Sequence, residues 1–434
     1  MTQLKTQERK SVSRIRKFIV DNLVVIIFVA FTAAGFLFSE GVSFTYFMNE
    51  LIDRVFRNGF LVLSLIIPVV AGLGLNFGIV VGAIAGQIAI VFVRYHQMGG
   101  LSALMLCFLL SFPMALLFGF LTGKLYNKTR GQEMIAGLIV SYFANGCYLF
   151  LFLFAVGIII PVTPGNPLIK FDNIGVRMSV DLGAYADGGM KYTMDYIIRI
   201  PFMHLVLIAS LGILFFLIVR HLLNRKKVDM NKKSIWRFRI YCAICIAVVI
   251  LSVVSIATDN IFMTLKRAPL VTALVIFALC LFNTFLMKTK LGQDFRSVGQ
   301  NQHIAEVSGI NVDRTRIIAT MFSTVLAAWG MIIYLQNMGT LATYDSHRNI
   351  GLFSVAALLV GGASTSRASV KNALIGAVLF NSMTIISPEL GLTLFGDRGV
   401  GEYFRSFMVY GVIGLALGLY VWKQLKAVRD QNAL

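Results

Sequence analysis

From Phe18 to Trp422 the chain is a succession of apolar runs, most of them about 18–25 residues long, separated by short polar or glycine-rich stretches. Coiled as a helix, such a run reaches about 30 Å, the thickness of a bilayer's hydrocarbon core. A membrane-spanning β-barrel would instead show alternating segments of about 10 residues. Helices also satisfy their own backbone hydrogen bonds, as the bilayer interior demands. Only 14% of residues are charged, against about 25% in soluble domains, and the mean hydropathy is +0.79. Water cannot cover that much apolar surface, so lipid must be the solvent. The expected fold is all-α: a polytopic transmembrane bundle of about 10–12 helices.

The expected membrane domain covers 18–423, between a basic tail, 1–17, and a short tail, 424–434. The first run, 18–38, is too long for a signal-peptide core and reads as a retained anchor. Residues 39–58 carry Glu40, Glu50, Asp53, Arg54 and Arg57 in an amphipathic pattern and are expected to lie along the membrane surface. The largest loop on that side is 161–200, and the largest on the other is 288–314. With loops assigned this way, the side holding both tails carries 27 of the 39 Lys and Arg residues. The opposite side carries 12 basic and 12 acidic residues, so the whole formal charge of +19 lies on one side. That is the positive-inside bias of a cytoplasmic (inner) membrane protein with both termini in the cytoplasm. A nucleic-acid partner would need a basic stripe on a folded domain, and no soluble stretch is long enough for one.

Two apolar regions are interrupted by glycine: GLGLNFGIVVGAIAG at 72–86 and GGASTSRASVKNALIG at 361–376. Short, broken helices in corresponding places of two halves point to an internal repeat with a pathway between them. Close helix packing is the other use of such glycines. Polar residues expected to face a pathway are Asn76, Gln87, Ser141, Tyr142, Asn145, Asn381 and Ser382, each of which could instead form an interhelical hydrogen bond.

No catalytic, cofactor or metal site is expected. There is no P-loop; residues 119–125 come nearest, with Leu125 where Ser or Thr is needed. Cys107, Cys147, Cys242, Cys245 and Cys280 lie in apolar segments, and the Cys242/Cys245 pair has no redox-fold context. His96, His204, His221, His303 and His347 fall near segment ends, where a histidine is ordinarily solvated. Asp172, Asp181, Asp187 and Asp195 are spaced like a solvated loop rather than a catalytic pair. No Asp, Glu, Lys or Arg lies deep in an expected span. Ion-coupled transporters usually need such groups, so the driving energy is expected to come from a separate engine.

The segment 288–314, KTKLGQDFRSVGQNQHIAEVSGINVDR, is the most specific feature. Asn301 suits a helix N-cap and Gly309 a C′ position, predicting two helical turns over 302–308. So short a helix is marginal in water and must dock on something. The segment resembles the loop found in permease subunits of ribose/nucleoside-type ABC importers. The matching residues are Thr289, Gly292, Arg296, Val298, Gly299, Asn301, Ala305, Ser308, Gly309, Ile310, Asn311 and Val312. Ser297 and Ile304 stand where that family usually has alanine. GLGLNFG, QEMIAGLIVSYFANG and LLVGGASTSRASVKNALIGAVLF resemble further family segments in consistent order over roughly 70–420. The region 220–265 is longer than the family norm, and the glutamate that some nucleoside permeases carry after GLGLNFG is missing.

The resemblance implies a permease for a small polar solute of simple-sugar or nucleoside type. Residues 302–308 would be the coupling helix seated on a cytoplasmic ABC ATPase, involving Gly299, Asn301, His303, Ile304, Ala305, Glu306, Ser308 and Gly309. ATP would bind the ATPase partner, with no cofactor in this chain. A second permease copy or a paralogue would complete a dimer, and an extracytoplasmic solute-binding protein would deliver the solute. The competing readings are a secondary transporter or facilitator working without an ATPase, and a membrane-embedded transferase.

Overall fold

The computed structural model describes residues 23–38, 42–225, 232–258, 260–411, 413, 414 and 418. The tails 1–17 and 424–434 lie outside the described residues. The architecture is the expected all-α bundle; among the described residues the only strands are two short antiparallel pairs.

Helix α1 (Leu23–Phe38) is followed by α2 (Phe44–Ser64), whose N-cap Ser43 accepts a hydrogen bond from the Tyr46 amide at 3.2 Å. A short α3 (Ile66–Val70) leads into a non-helical stretch, and α4 spans Ile79–Tyr95. Of the expected surface segment 39–58, residues 39–41 lie outside the described residues, and residues 44–58 instead form the first part of a helix that runs into the bundle. Its polar residues Glu50, Arg54, Arg57 and Asn58 share one face at helical spacing. That amphipathic pattern suits an internal cavity as well as a headgroup layer, and packing selects the cavity.

The break after α3 is built from glycine: Gly72 has φ +77° and Gly74 φ +68°, in the left-handed region that L side chains avoid. Further along the same run, glycine serves packing instead. A Cβ on Gly82 or Gly86 would lie 2.4 Å from the Thr324 or Ala328 carbonyl oxygen, respectively. Both readings of the Gly-rich run therefore hold, for different residues.

Helix α5 (Gly100–Lys128) and α6 (Glu133–Phe150) follow, the latter continuing through a π turn at Leu151–Ala155. The long loop then contains β1 (Ser179–Asp181), the short α7 (Thr193–Ile197) and β2 (Arg199–Pro201). Helices α8 (Phe202–Arg225) and α9 (Lys232–Ala257) pack against each other, and β3 (Arg267–Pro269) leads into α10 (Leu270–Leu286). The chain bends by 74° into α11 (Lys290–Gln300), where Thr289 caps the Gly292 amide. Then come α12 (Gln302–Val307), α13 (Val312–Met338), β4 (Thr340–Ala342), α14 (Ser346–Val360) and α15 (Val370–Phe395). Residues 398–411 are helical. Strand β1 pairs with β4 and β2 with β3. We call the end carrying these pairs the strand-bearing end, and the end carrying Lys124, Arg130 and α11 the basic end.

Burial orders the bundle from centre to rim. The apolar windows of α13 and α15 are 67% buried, whereas those of α8 and α9 are 11% buried. Helix α13 packs on α2, α4 and α5, and Ala327, Met331, Ile332 and Leu335 are inaccessible within that core. Helices α8 and α9 present Phe215, Phe216 and Ile250 outwards, as lipid-facing helices do. Among the described residues six helices are long and apolar enough to cross a membrane. Helices α1, α4, α10 and α14 are shorter, at 15–17 residues, and α2 is crossed by its polar stripe. These account for the excess of the ten to twelve expected crossings over six.

Candidate translocation cavities and coupling segment

The polar stripe of α2 lines a cavity of about 310 Å³ in the strand-bearing half of the bundle. Opposite it stand Tyr334 and Met338 of α13, Ser354 of α14, Asn381 and Thr384 of α15, and Arg405. Asn58 Nδ2 donates to Asn381 Oδ1 at 2.8 Å, and Arg54 Nη1 donates to Thr384 Oγ1 at 3.2 Å. Arg54 Nε lies 3.4 Å from Glu50 Oε2, and Arg405 Nη2 lies 2.5 Å from Glu402 Oε2. The Arg57 guanidinium donates to Met338 Sδ and sits 5.5 Å from the centre of the Tyr334 ring. The interior thus holds ionisable groups that reading 39–58 as a surface segment had placed outside the spans.

A second cavity, of about 270 Å³, is walled by Phe77, Ser141, Tyr142, Asn145, Arg348 and Tyr410, with apolar residues between them. Behind it His347 is fully buried between Gln87 and Asn145, with Nδ1 2.8 Å from Gln87 Oε1 and Nε2 2.7 Å from Asn145 Oδ1. Gln87 Nε2 donates to the Thr343 carbonyl at 2.8 Å, which leaves its oxygen to face the ring. A neutral imidazole protonated on Nδ1 serves both neighbours once the Asn145 amide turns its nitrogen to Nε2. The position of His347 near a helix end, which suggested solvation, instead places it where α14 enters the packed interior. A third cavity, of about 600 Å³, lies between α5, α10 and α13 and is apolar throughout, with Phe112, Phe282 and Trp329 among its walls.

The seven residues expected on a pathway divide into groups. Ser141, Tyr142 and Asn145 line the second cavity, and Asn381 lines the first. Ser141 also donates to the carbonyls of Phe77 and Gly137 at 2.7 and 2.8 Å. Asn76 is buried, bonded to Ser323 at 3.2 Å and accepting from the Tyr126 hydroxyl at 2.8 Å. Gln87 serves His347, and Ser382 bonds back to the Val378 carbonyl at 2.8 Å. Asp195, expected on a solvated loop, is buried at the strand-bearing end. It accepts from Thr272 Oγ1 at 2.5 Å, Asn337 Nδ2 at 2.8 Å and Gln336 Nε2 at 3.1 Å, tying α7 to α10 and α13.

At the basic end, α12 has the expected caps. Asn301 Oδ1 accepts from the Ile304 amide at 3.1 Å, and Gly309 has φ +81°. Ala305 is 1% exposed and packs with Val298 and Val312, whereas Ile304 and Val307 are 62% and 78% exposed. His303, Glu306 and Ser308 are also exposed. Glu306 pairs with Arg130 at 3.2 Å, and Arg130 with Asp313 at 2.6 Å. The hydrogen bond from Asp313, with support from Glu306, raises the Arg130 pKa above its ordinary value. The fully buried Arg316 reaches Glu133 Oε1 at 2.5 Å, the Tyr126 carbonyl at 3.0 Å and Gln302 Oε1 at 3.3 Å. These bonds anchor one side of α12 to the α5–α6 turn and to α13. The other side is left as a small apolar knob, Ile304 and Val307. Gly299 abuts the first helix break: a Cβ there would lie 2.1 Å from the Val70 carbonyl oxygen.

A polytopic helical bundle with two broken-helix regions flanking internal polar cavities defines a membrane protein of the transporter class. The chain belongs to the branched-chain amino acid transport system / permease component family, whose sequence model matches residues 47–417. It is 30% identical over 171 residues to the nucleoside ABC transporter permease protein NupC of Lactococcus lactis subsp. cremoris, covering 39% of this chain and 51% of the relative. It is 31% identical over 153 residues to the xylose transport system permease protein XylH of Haemophilus influenzae, covering 34% and 37%. To the galactose/methyl galactoside import permease protein MglC of Salmonella typhimurium it is 28% identical over 155 residues, covering 35% and 44%. The chain spans about half or less of the length of each of these relatives. No solved structure matches the chain.

Proposed function

We propose that the chain is the membrane permease of an ABC importer carrying a small polar solute, of simple-sugar or nucleoside type, across the cytoplasmic membrane. The basic end, with both termini, faces the cytoplasm, and the strand-bearing end faces out. ATP is bound and hydrolysed by a separate ATPase, and this chain is non-catalytic. It works as a dimer with a second copy or a paralogue, fed by an extracytoplasmic solute-binding protein.

The observation that carries this reading is the exposed Ile304/Val307 pair on a helix anchored rigidly from behind. Two exposed apolar side chains on a two-turn helix suit a groove on a partner. Gly299 touches the first helix break, so a push on α12 reaches the helices that line the cavities. Relatives named for nucleoside, xylose and galactose transport support the solute class.

The test is uptake of labelled ribose, xylose, galactose and guanosine, and of ribose 5-phosphate and galacturonate, into vesicles, with the chain expressed with and without a candidate ATPase. The expected result is uptake of one of these that needs both the ATPase and ATP. Uptake that proceeds equally without the ATPase would overturn the reading in favour of a facilitator or secondary transporter.

A further inference from the structure

The cavity lined by α2 carries more positive charge and more hydrogen-bond donors than its own acceptors can satisfy. Three guanidinium groups, of Arg54, Arg57 and Arg405, face about 310 Å³ of space. Glu50 stands by Arg54 and Glu402 by Arg405. Arg57 has no carboxylate within ion-pair distance among the described residues, and its contacts are a thioether sulfur and the Tyr334 ring. The Nε–H groups of Arg57 and Arg405 are buried with no hydrogen-bond partner, and that of Arg54 has only Glu50 Oε2, at 3.4 Å. Asn381 Oδ1, one of the few neutral acceptors on the wall, is already used by Asn58.

A neutral sugar or nucleoside brings donors and acceptors in similar numbers, so it would leave this excess of donors unmet. A half-buried cation that faces a cavity with no counter-ion in ion-pair reach gains from an anion placed there. Guanidinium forks match carboxylate and phosphate oxygens, which bring acceptors without donors. The volume suits a small ligand. We infer that this cavity admits its solute through an acidic group, a carboxylate or phosphate borne on the small polar body, with Arg57 as the principal contact and Arg54 beside it. The inference rests on the permease reading and narrows its small polar solute to one that bears an acidic group.

The test is thermal unfolding of the full chain in phosphatidylcholine nanodiscs, with millimolar ribose 5-phosphate against ribose, and galacturonate against galactose. Because it needs neither ATPase nor uptake, its failure is separate from a failure of the importer reading. The expected result is that an acid raises Tm by several degrees while its neutral partner does not. The rise disappears in Arg57→Gln and partly returns in Arg57→Lys, with the ligand-free Tm of each variant showing that it folds. Equal rises with the neutral sugars, no rise with either acid, or a rise that survives combined Arg54→Gln and Arg57→Gln would each overturn the inference. An Arg57-dependent rise seen only on adding phosphatidylglycerol would assign the cavity to a lipid headgroup and overturn it as well.

Discussion

Gly299 and Gly72 meet backbone to backbone: a Cβ on Gly72 would stand 2.7 Å from the Gly299 Cα. No side chain intervenes between the segment that carries α12 and the first helix break. A displacement of one must therefore move the other, because packed backbone is close to incompressible.

Gly299→Ala should wedge these segments apart, since its Cβ would meet the Val70 carbonyl oxygen. The expected cost is about 1–3 kcal/mol of stability. ATP-driven uptake should fall further than ATPase co-purification does. Comparing the two in the same membranes checks this, and equal losses would count against transmission through the contact.

Ile304→Asp combined with Val307→Asp should leave Tm nearly unchanged, within about 0.5 kcal/mol for each exposed site. It should also abolish ATPase co-purification. Ala305→Asp should act differently, because Ala305 faces Val298 and Val312 rather than solvent. There an unpaired charge should cost about 2–4 kcal/mol and unseat α12 itself. Thermal unfolding beside a pull-down separates the two effects.

Arg316→Ala should be among the most damaging substitutions at the basic end. It leaves Glu133 without its buried partner and frees the Tyr126 carbonyl and Gln302. Breaking one side of a buried pair costs about 3–5 kcal/mol. Glu133→Gln, which keeps an acceptor of the same shape, should cost less, and the two Tm values decide.

Asp195→Ala should release α7 from α10 and α13, since three donors lose their acceptor at once. Each unmet donor costs about 1–3 kcal/mol. Limited proteolysis of intact vesicles should then cut within 161–200 well before the unaltered chain is cut. Unchanged cleavage would mean that the strand pairs alone hold this loop.

How much of this was legible from sequence follows from the range of each signal. The break at Gly72 and Gly74 and the caps at Asn301 and Gly309 could be read off because each depends on a residue's own backbone preference or on neighbours within one turn. Glu50, Arg54 and Arg57 stand out in the sequence as an amphipathic pattern, which fits a membrane surface as well as it fits the cavity. The burial of Asp195 and His347 is invisible in the sequence because spacing along the chain says nothing about what covers a loop or a helix start.

By itself, then, the sequence determined membrane residence, helical class, the places where helices break and the short capped helix before α13. Those follow from hydropathy, period and cap chemistry, all of which act locally. Only the tertiary structure decided that the α2 stripe faces a cavity, that Ala305 turns inwards while Ile304 and Val307 turn out, and that Gly299 rests on Gly72. A periodic pattern defines a face but not its partner. The partners here lie as far apart as Asn58 and Asn381, 323 residues along the chain, and only packing brings them together.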